Sequence, residues 1–131
     1  MKILRILAVA LLVPGVAATP AIPGPSVVEM TSNMAFMPRE LTVVVGEVVV
    51  WKNAAEMPHT VNSNPENCKR EDAKQWVKIP AGATPFYSGE LKPGAEFRVR
   101  FEIPGTYQYN CVYHEDQMMR GTVVVQGAEV K

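Results

Sequence analysis

Glu96-Phe97-Arg98-Val99-Arg100-Phe101-Glu102-Ile103-Pro104-Gly105-Thr106-Tyr107-Gln108-Tyr109-Asn110-Cys111 is the stretch that decides the fold. Phe97, Val99, Phe101 and Ile103 alternate with Arg98, Arg100 and Glu102. Successive side chains of a strand point to opposite faces, so this period of two sets the apolar residues on one sheet face and the charges on the other. Pro104-Gly105 interrupts the run, and Tyr107, Tyr109 and Cys111 resume it on one face. Upstream, Lys92-Pro93-Gly94-Ala95 repeats the Pro-Gly order. Proline fixes φ at the second position of a turn and glycine tolerates positive φ at the third, so both sites predict type II turns. Further out in the chain, Leu41–Val45 and Val48–Trp51 are β-branched runs separated by Gly46-Glu47, and Val27–Met30 and Thr122–Val125 read as the first and last strands. No long amphipathic helix and no internal repeat interrupts them. The chain is therefore all-β, a sandwich or a barrel. The polar segment Asn62–Lys78 is a long loop or holds one short helix around Glu66–Gln75.

The 131 residues suit one domain, and 47% hydrophobic with 20% charged residues is an ordinary globular composition. Lys+Arg and Asp+Glu are equal at 13 each, which argues against a nucleic-acid binder. Lys2 and Arg5 precede an apolar run, Ile6–Val13, and the small residues Gly15, Ala17 and Ala18 follow. That order describes a secretory signal peptide, with cleavage after Ala18, or alternatively after Ala21. The expected exported domain is residues 19–131. Loss of Lys2 and Arg5 shifts its formal charge from +0 to −2. The apolar run is shorter than the ~20 residues of a membrane-spanning helix, so no stable anchor is expected in the mature chain.

The chemistry lies in one loop and one distant histidine. Cys111-Val112-Tyr113-His114 leads into Glu115-Asp116-Gln117-Met118-Met119, which is C-x2-H-x4-M through Met119 or C-x2-H-x3-M through Met118. His59 follows Met57-Pro58, and only the fold can bring it to this loop. A thiolate with two imidazoles and a weak axial thioether is the ligand set of electron-transfer copper sites. Sulfur ligands favour Cu(I), while imidazole serves both oxidation states.

The sequence resembles the cupredoxins, and among them the plastocyanin-like proteins. The resemblance runs from Phe36-x-Pro38 and Leu41-Thr42-Val43 through Gly46-x-x-Val49-x-Trp51-x-Asn53, Pro58-His59-x-Val61, Ser88-Gly89 and Pro93-Gly94. It is densest at Pro104-Gly105-Thr106-Tyr107-x-Tyr109-x-Cys111-x-x-His114 and ends in Met119-x-Gly121-x-Val123. It implies an antiparallel Greek-key sandwich of about eight strands. It also implies one copper ion held by His59, Cys111, His114 and Met119, and one-electron transfer between a transient donor and acceptor by a monomer. Met119 is preferred to Met118 because the family places its axial methionine two residues before a glycine, here Gly121. Periplasm or thylakoid lumen is the implied compartment. The chain departs from the plastocyanin pattern at Thr60, where asparagine is common, and at Asn110, where an aromatic residue is common. Its ligand loop carries Glu115, Asp116 and Gln117 instead of proline or glycine.

Two other readings compete. Copper delivery or storage would use the same ligands, with Met30, Met34 and Met37 as a loose thioether cluster and Met57 elsewhere. A copper enzyme would need further histidines, and His59 and His114 are the only two in the chain. Cys68 and Cys111 are the only cysteines, and a disulfide between them would remove the copper thiolate. Cys111 sits in a motif and Cys68 does not, so Cys68 is read as a leftover thiol, free or intermolecular. Glu56, Glu115 and Asp116 are expected to form a partly acidic rim around His114 that favours a basic partner.

Overall fold

The computed structural model describes residues 14–17 and 24–128. Most of the expected signal peptide, and both candidate cleavage points, lie outside the described residues. Among the described residues, seven strands form two sheets. They are β1 (Ser26–Met30), β2 (Phe36–Met37), β3 (Glu40–Val44), β4 (Val48–Asn53), β5 (Glu96–Arg100), β6 (Gly105–Asn110) and β7 (Arg120–Gln126). One sheet has the order β2-β1-β4-β5 and the other β3-β7-β6. Isolated bridges at His59–Leu91, Asn62–Tyr87, Asn62–Asn110 and Lys78–Gln108 tie the connections to the sheets. The architecture is the sandwich that the alternation and the resemblance imply.

Each sheet also holds a parallel pair, β1 with β4 and β3 with β7, where an antiparallel pattern throughout is expected. The turn at Gly46 explains the first. Gly46 has φ 93°, and the chain turns there from β3 in one sheet into β4 in the other, without forming a hairpin. A strand that returns to its own sheet after an excursion through the other can lie parallel to its neighbour.

The two Pro-Gly turns also differ. Gly94 has φ 84° and the Ala95 N–H donates to the Lys92 carbonyl at 2.9 Å, a type II turn as predicted. Gly105 has φ 138°, away from the +80° of such a turn, and the Ile103 carbonyl accepts the Tyr107 hydroxyl at 2.7 Å. A Cβ at Gly105 would meet Pro80 Cγ at 2.5 Å, so close packing against Pro80 fixes this glycine as well.

The core lies between the sheets. Trp51 of β4 is fully buried and meets Tyr109 of β6 edge-on at 5.3 Å. Tyr109 meets Phe36 at 4.7 Å, and Phe101 meets Tyr107 at 4.8 Å. Edge-to-face aromatic pairs contribute about 0.5–1.5 kcal/mol each beyond their burial. Tyr109 leaves no room over β7: a Cβ at Gly121 would lie 2.3 Å from its ring. The segment Asn62–Lys78 contains a 3-10 turn, Pro65–Asn67, and one short helix, α1 (Glu71–Lys74). Ala73, Val77 and Cys68 form a small core of their own, with Trp76 packed against it.

Candidate metal centre

β6 ends at Asn110, so the next residue, Cys111, stands at one end of the sandwich on the buried face set by Tyr107 and Tyr109. The loop that follows folds back on itself. The His114 N–H donates to the Cys111 carbonyl at 3.2 Å, the Met119 N–H to the His114 carbonyl at 3.2 Å, and the Cys111 N–H to the Met119 carbonyl at 3.0 Å. Met119 is buried, whereas Met118 is exposed.

His59 arrives from β4 by way of Asn53. The buried Asn53 carboxamide donates to the carbonyls of Met57 at 2.8 Å and Leu91 at 2.9 Å, and accepts from the Ala55 N–H at 2.9 Å. The His59 backbone then exchanges two hydrogen bonds with Leu91, at 3.1 and 2.8 Å. Asn53 stands in the Trp51-x-Asn53 motif, but only the fold reveals its work as a brace. The fully buried His59 ring donates from Nε2 to the Thr31 carbonyl at 3.1 Å. That bond fixes the tautomer and leaves Nδ1 with its lone pair directed at the centre.

The structure brings three of the four predicted ligand atoms together. His59 Nδ1 lies 3.9 Å and His114 Nδ1 3.4 Å from Cys111 Sγ, and the three donor atoms lie within 4.8 Å of one another. An ion about 2.0–2.3 Å from nitrogen and sulfur donors would hold them roughly 3.5–4 Å apart, so the cluster has the dimensions of a metal site. Met119 reaches the same end of the sandwich, buried beside the loop. Burial, and for His59 also the neighbouring His114, holds the imidazoles below their ordinary value of 6.5. Neutral imidazole is the form that binds a metal.

Thr60 anchors the thiolate position. Its N–H donates to Cys111 Sγ at 3.3 Å, and its hydroxyl lies 3.7 Å from the same sulfur. That hydroxyl accepts the Val112 N–H at 2.8 Å, so its proton is available to sulfur. The residue at which this chain departs from the plastocyanin pattern therefore orders the ligand loop with a hydroxyl.

Both cysteines are free and buried, which disposes of a Cys68–Cys111 disulfide. Cys68 lies on the other side of β6. It receives Asn62 Nδ2 at 3.7 Å and Asn110 Nδ2 at 3.6 Å. The expected acidic rim is largely consumed by internal bonds. The Glu115 carboxylate accepts the N–H groups of Lys69 at 3.1 Å and Arg70 at 2.8 Å, and Asp116 is ion-paired to Arg70. Glu56 remains exposed. The reason is long-range pairing: Asn62–Lys78 packs beside the ligand loop, and its backbone N–H groups and the Arg70 guanidinium bind these carboxylates.

Residues 26–126 match the family described as copper binding proteins, plastocyanin/azurin family. The chain belongs to this family. A plastocyanin from Scenedesmus fuscus is 32% identical over 97 residues, covering 71% of this chain and 88% of that protein. A chloroplastic plastocyanin from Fritillaria agrestis is likewise 32% identical over 95 residues, but this chain spans only 53% of its length. Among solved structures, a reduced amicyanin variant superposes with a TM-score of 0.60 at 31% identity, covering 79% of this chain and 83% of the other. Copper is thus the ion of this family, and His59, Cys111, His114 and Met119 are the residues of this chain that fit a single copper site. The family is one of electron-transfer copper proteins. Among the described residues no other group of three His, Cys, Asp or Glu side chains converges in this way.

Proposed function

We propose that this chain is an exported, mononuclear copper protein that carries single electrons between redox partners. Bound copper supplies the one-electron Cu(II)/Cu(I) couple, and the chain supplies a fixed set of donors. His59 Nδ1, Cys111 Sγ and His114 Nδ1 would hold the ion strongly, and the Met119 thioether would be a weaker fourth ligand. The observation that carries the reading is the prior ordering of these donors. The Thr31 carbonyl holds the His59 ring, the Thr60 N–H and hydroxyl hold the sulfur, and three backbone hydrogen bonds close the ligand loop. Donors that are already in place move little when an electron arrives, which keeps the barrier to transfer low. His59 and Cys111 are sealed from solvent while His114 is half-buried, so the His114 edge is the exit and entry point for the electron. Both histidines are committed to this centre, which argues for a carrier without substrate turnover, acting as a monomer between transient partners. The apolar run behind Lys2 and Arg5 supports export, to a periplasm or a thylakoid lumen.

Loading the apo-protein with one equivalent of Cu(II) tests the reading. An intense visible absorption that bleaches and returns on addition and withdrawal of one electron is expected. A colourless Cu(II) protein overturns it.

A further inference from the structure

A groove of about 270 Å³ opens beside the ligand loop, and four methionines line it: Met34, Met37, Met118 and Met119. Met119 belongs to the centre described above. Met30, the other member of the loose cluster legible in the sequence, is buried in the main core and takes no part. We infer that Met34, Met37 and Met118 form a second metal site, selective for a soft monovalent cation, Cu(I), next to the first.

Three observations carry it. The first is exposure. Met37 and Met118 are 54% and 58% exposed, so packing does not explain these long apolar side chains, although Met34 does pack against the core. The second is backbone conformation. Met34 and Met118 are the only non-glycine residues with positive φ among the described residues, at 55° and 54°. Each closes a tight turn, Met34 N–H donating to the Thr31 carbonyl at 3.1 Å and Met118 N–H to the Glu115 carbonyl at 3.0 Å. Glycine or asparagine fits such positions at lower cost, and strained residues of this kind cluster at functional sites. Here two turns far apart in sequence both place a methionine on one groove.

The third is the chemistry of the lining. Thioethers are soft, neutral ligands that select Cu(I) over hard divalent ions. No Asp or Glu lines the groove, so it offers no carboxylate to Mg²⁺, Ca²⁺ or Zn²⁺. Arg39 and Arg120 also line it, and their charge repels a divalent ion more than a monovalent one; the Arg120 guanidinium is engaged over the Trp76 ring at 5.2 Å. With Met119 in its wall, the groove adjoins the centre, so an ion held there is one ligand away from it. The inference does not depend on what the centre does with its own copper.

Anaerobic titration with chelator-buffered Cu(I), on protein carrying ¹³C-methyl methionine, tests it. The first equivalent fills the centre and reports on that site alone. A second equivalent is expected, shifting the methyl signals of Met34, Met37 and Met118 while those of Met30 and Met57 stay in place. Met37→Leu with Met118→Leu should lose the second equivalent and keep the first, and Cys68→Ser should keep both. Binding that stops at one equivalent overturns the inference, as does a second equivalent that survives the double variant or vanishes with Cys68→Ser. Failure to bind the first equivalent would instead count against the copper centre.

Discussion

Cys111 and Cys68 are the same residue in two environments on either side of one strand end. Both are buried and both are free. Side chains alternate along β6 and its continuation, so the Asn110 carboxamide turns toward Cys68 while the Cys111 sulfur turns toward the histidines. Cys111 has two imidazole nitrogens within 3.9 Å and receives an N–H and a hydroxyl from Thr60. Cys68 has carboxamides from Asn62 and Asn110 and no imidazole. Burial pushes the Cys68 thiol up, the Asn110 hydrogen bond only partly opposes this, and Glu115 adds to it. Burial thus preserves a thiol. Imidazole lone pairs converging on the same point turn a buried sulfur into a metal ligand.

The largest expected effect separates the two sulfurs outright. Cys111→Ser should abolish the intense visible band of the copper-loaded protein, and Cys68→Ser should leave its position and intensity intact. Absorption spectra of the two variants decide the matter. A band that survives Cys111→Ser, or disappears with Cys68→Ser, would reverse the assignment.

Thr60→Val strikes the ordering on the Cys111 side. It leaves the buried Val112 N–H without its acceptor, a loss of about 1–3 kcal/mol for an unsatisfied buried group. Urea unfolding of the apo-protein should show that loss, and Thr60→Ser should recover most of it. The copper potential should also fall in Thr60→Val, because a hydrogen bond to the sulfur is removed. An unchanged midpoint in urea would mean that the hydroxyl is ornamental.

The two sides of β6 also differ in how far the sequence exposed them. Cys111 and His114 are three residues apart, and a local spacing is visible in one dimension. The alternation Phe97–Ile103 and the type II turn at Gly94 were legible for the same reason. The Thr31 carbonyl that orients His59 was not, since a backbone oxygen carries no residue-type signal. Glu115 misled in the opposite way. As a side chain it looks like a solvent-facing acid, but its partners are backbone N–H groups 45 and 46 positions away. The partition of strands between sheets was hidden as well, because a glycine turn reads alike whether it joins neighbours in one sheet or crosses to the other. Gly105 shows the limit of turn signatures: Pro-Gly fits a type II turn, but the nearness of Pro80 sets this one.

Glu115→Ala should act on the Cys68 side alone. The carboxylate ties the start of α1 to the ligand loop through exposed bonds that water can partly replace, so the expected loss is about 1 kcal/mol. Amide hydrogen exchange at Lys69 and Arg70 should quicken, while the copper spectrum stays put. A shifted spectrum would show that the polar segment and the centre are mechanically coupled.

The smallest effect concerns the protonation of Cys68. The folded chain keeps this thiol protonated above the ordinary value of 9.0, at which the unfolded chain has released half of it. The unfolded state therefore holds fewer protons as pH climbs through that value, and stability falls with rising pH. Below it both states hold the proton and the group contributes no slope. Comparing unfolding free energies of the wild-type chain and Cys68→Ser on both sides of pH 9.0 isolates the contribution, because Cys111 is common to both. A shallower alkaline decline in Cys68→Ser is expected. Equal slopes would mean that Cys68 ionises as readily folded as unfolded, and the contrast between a preserved thiol and a metal-ready sulfur would then lose its physical basis.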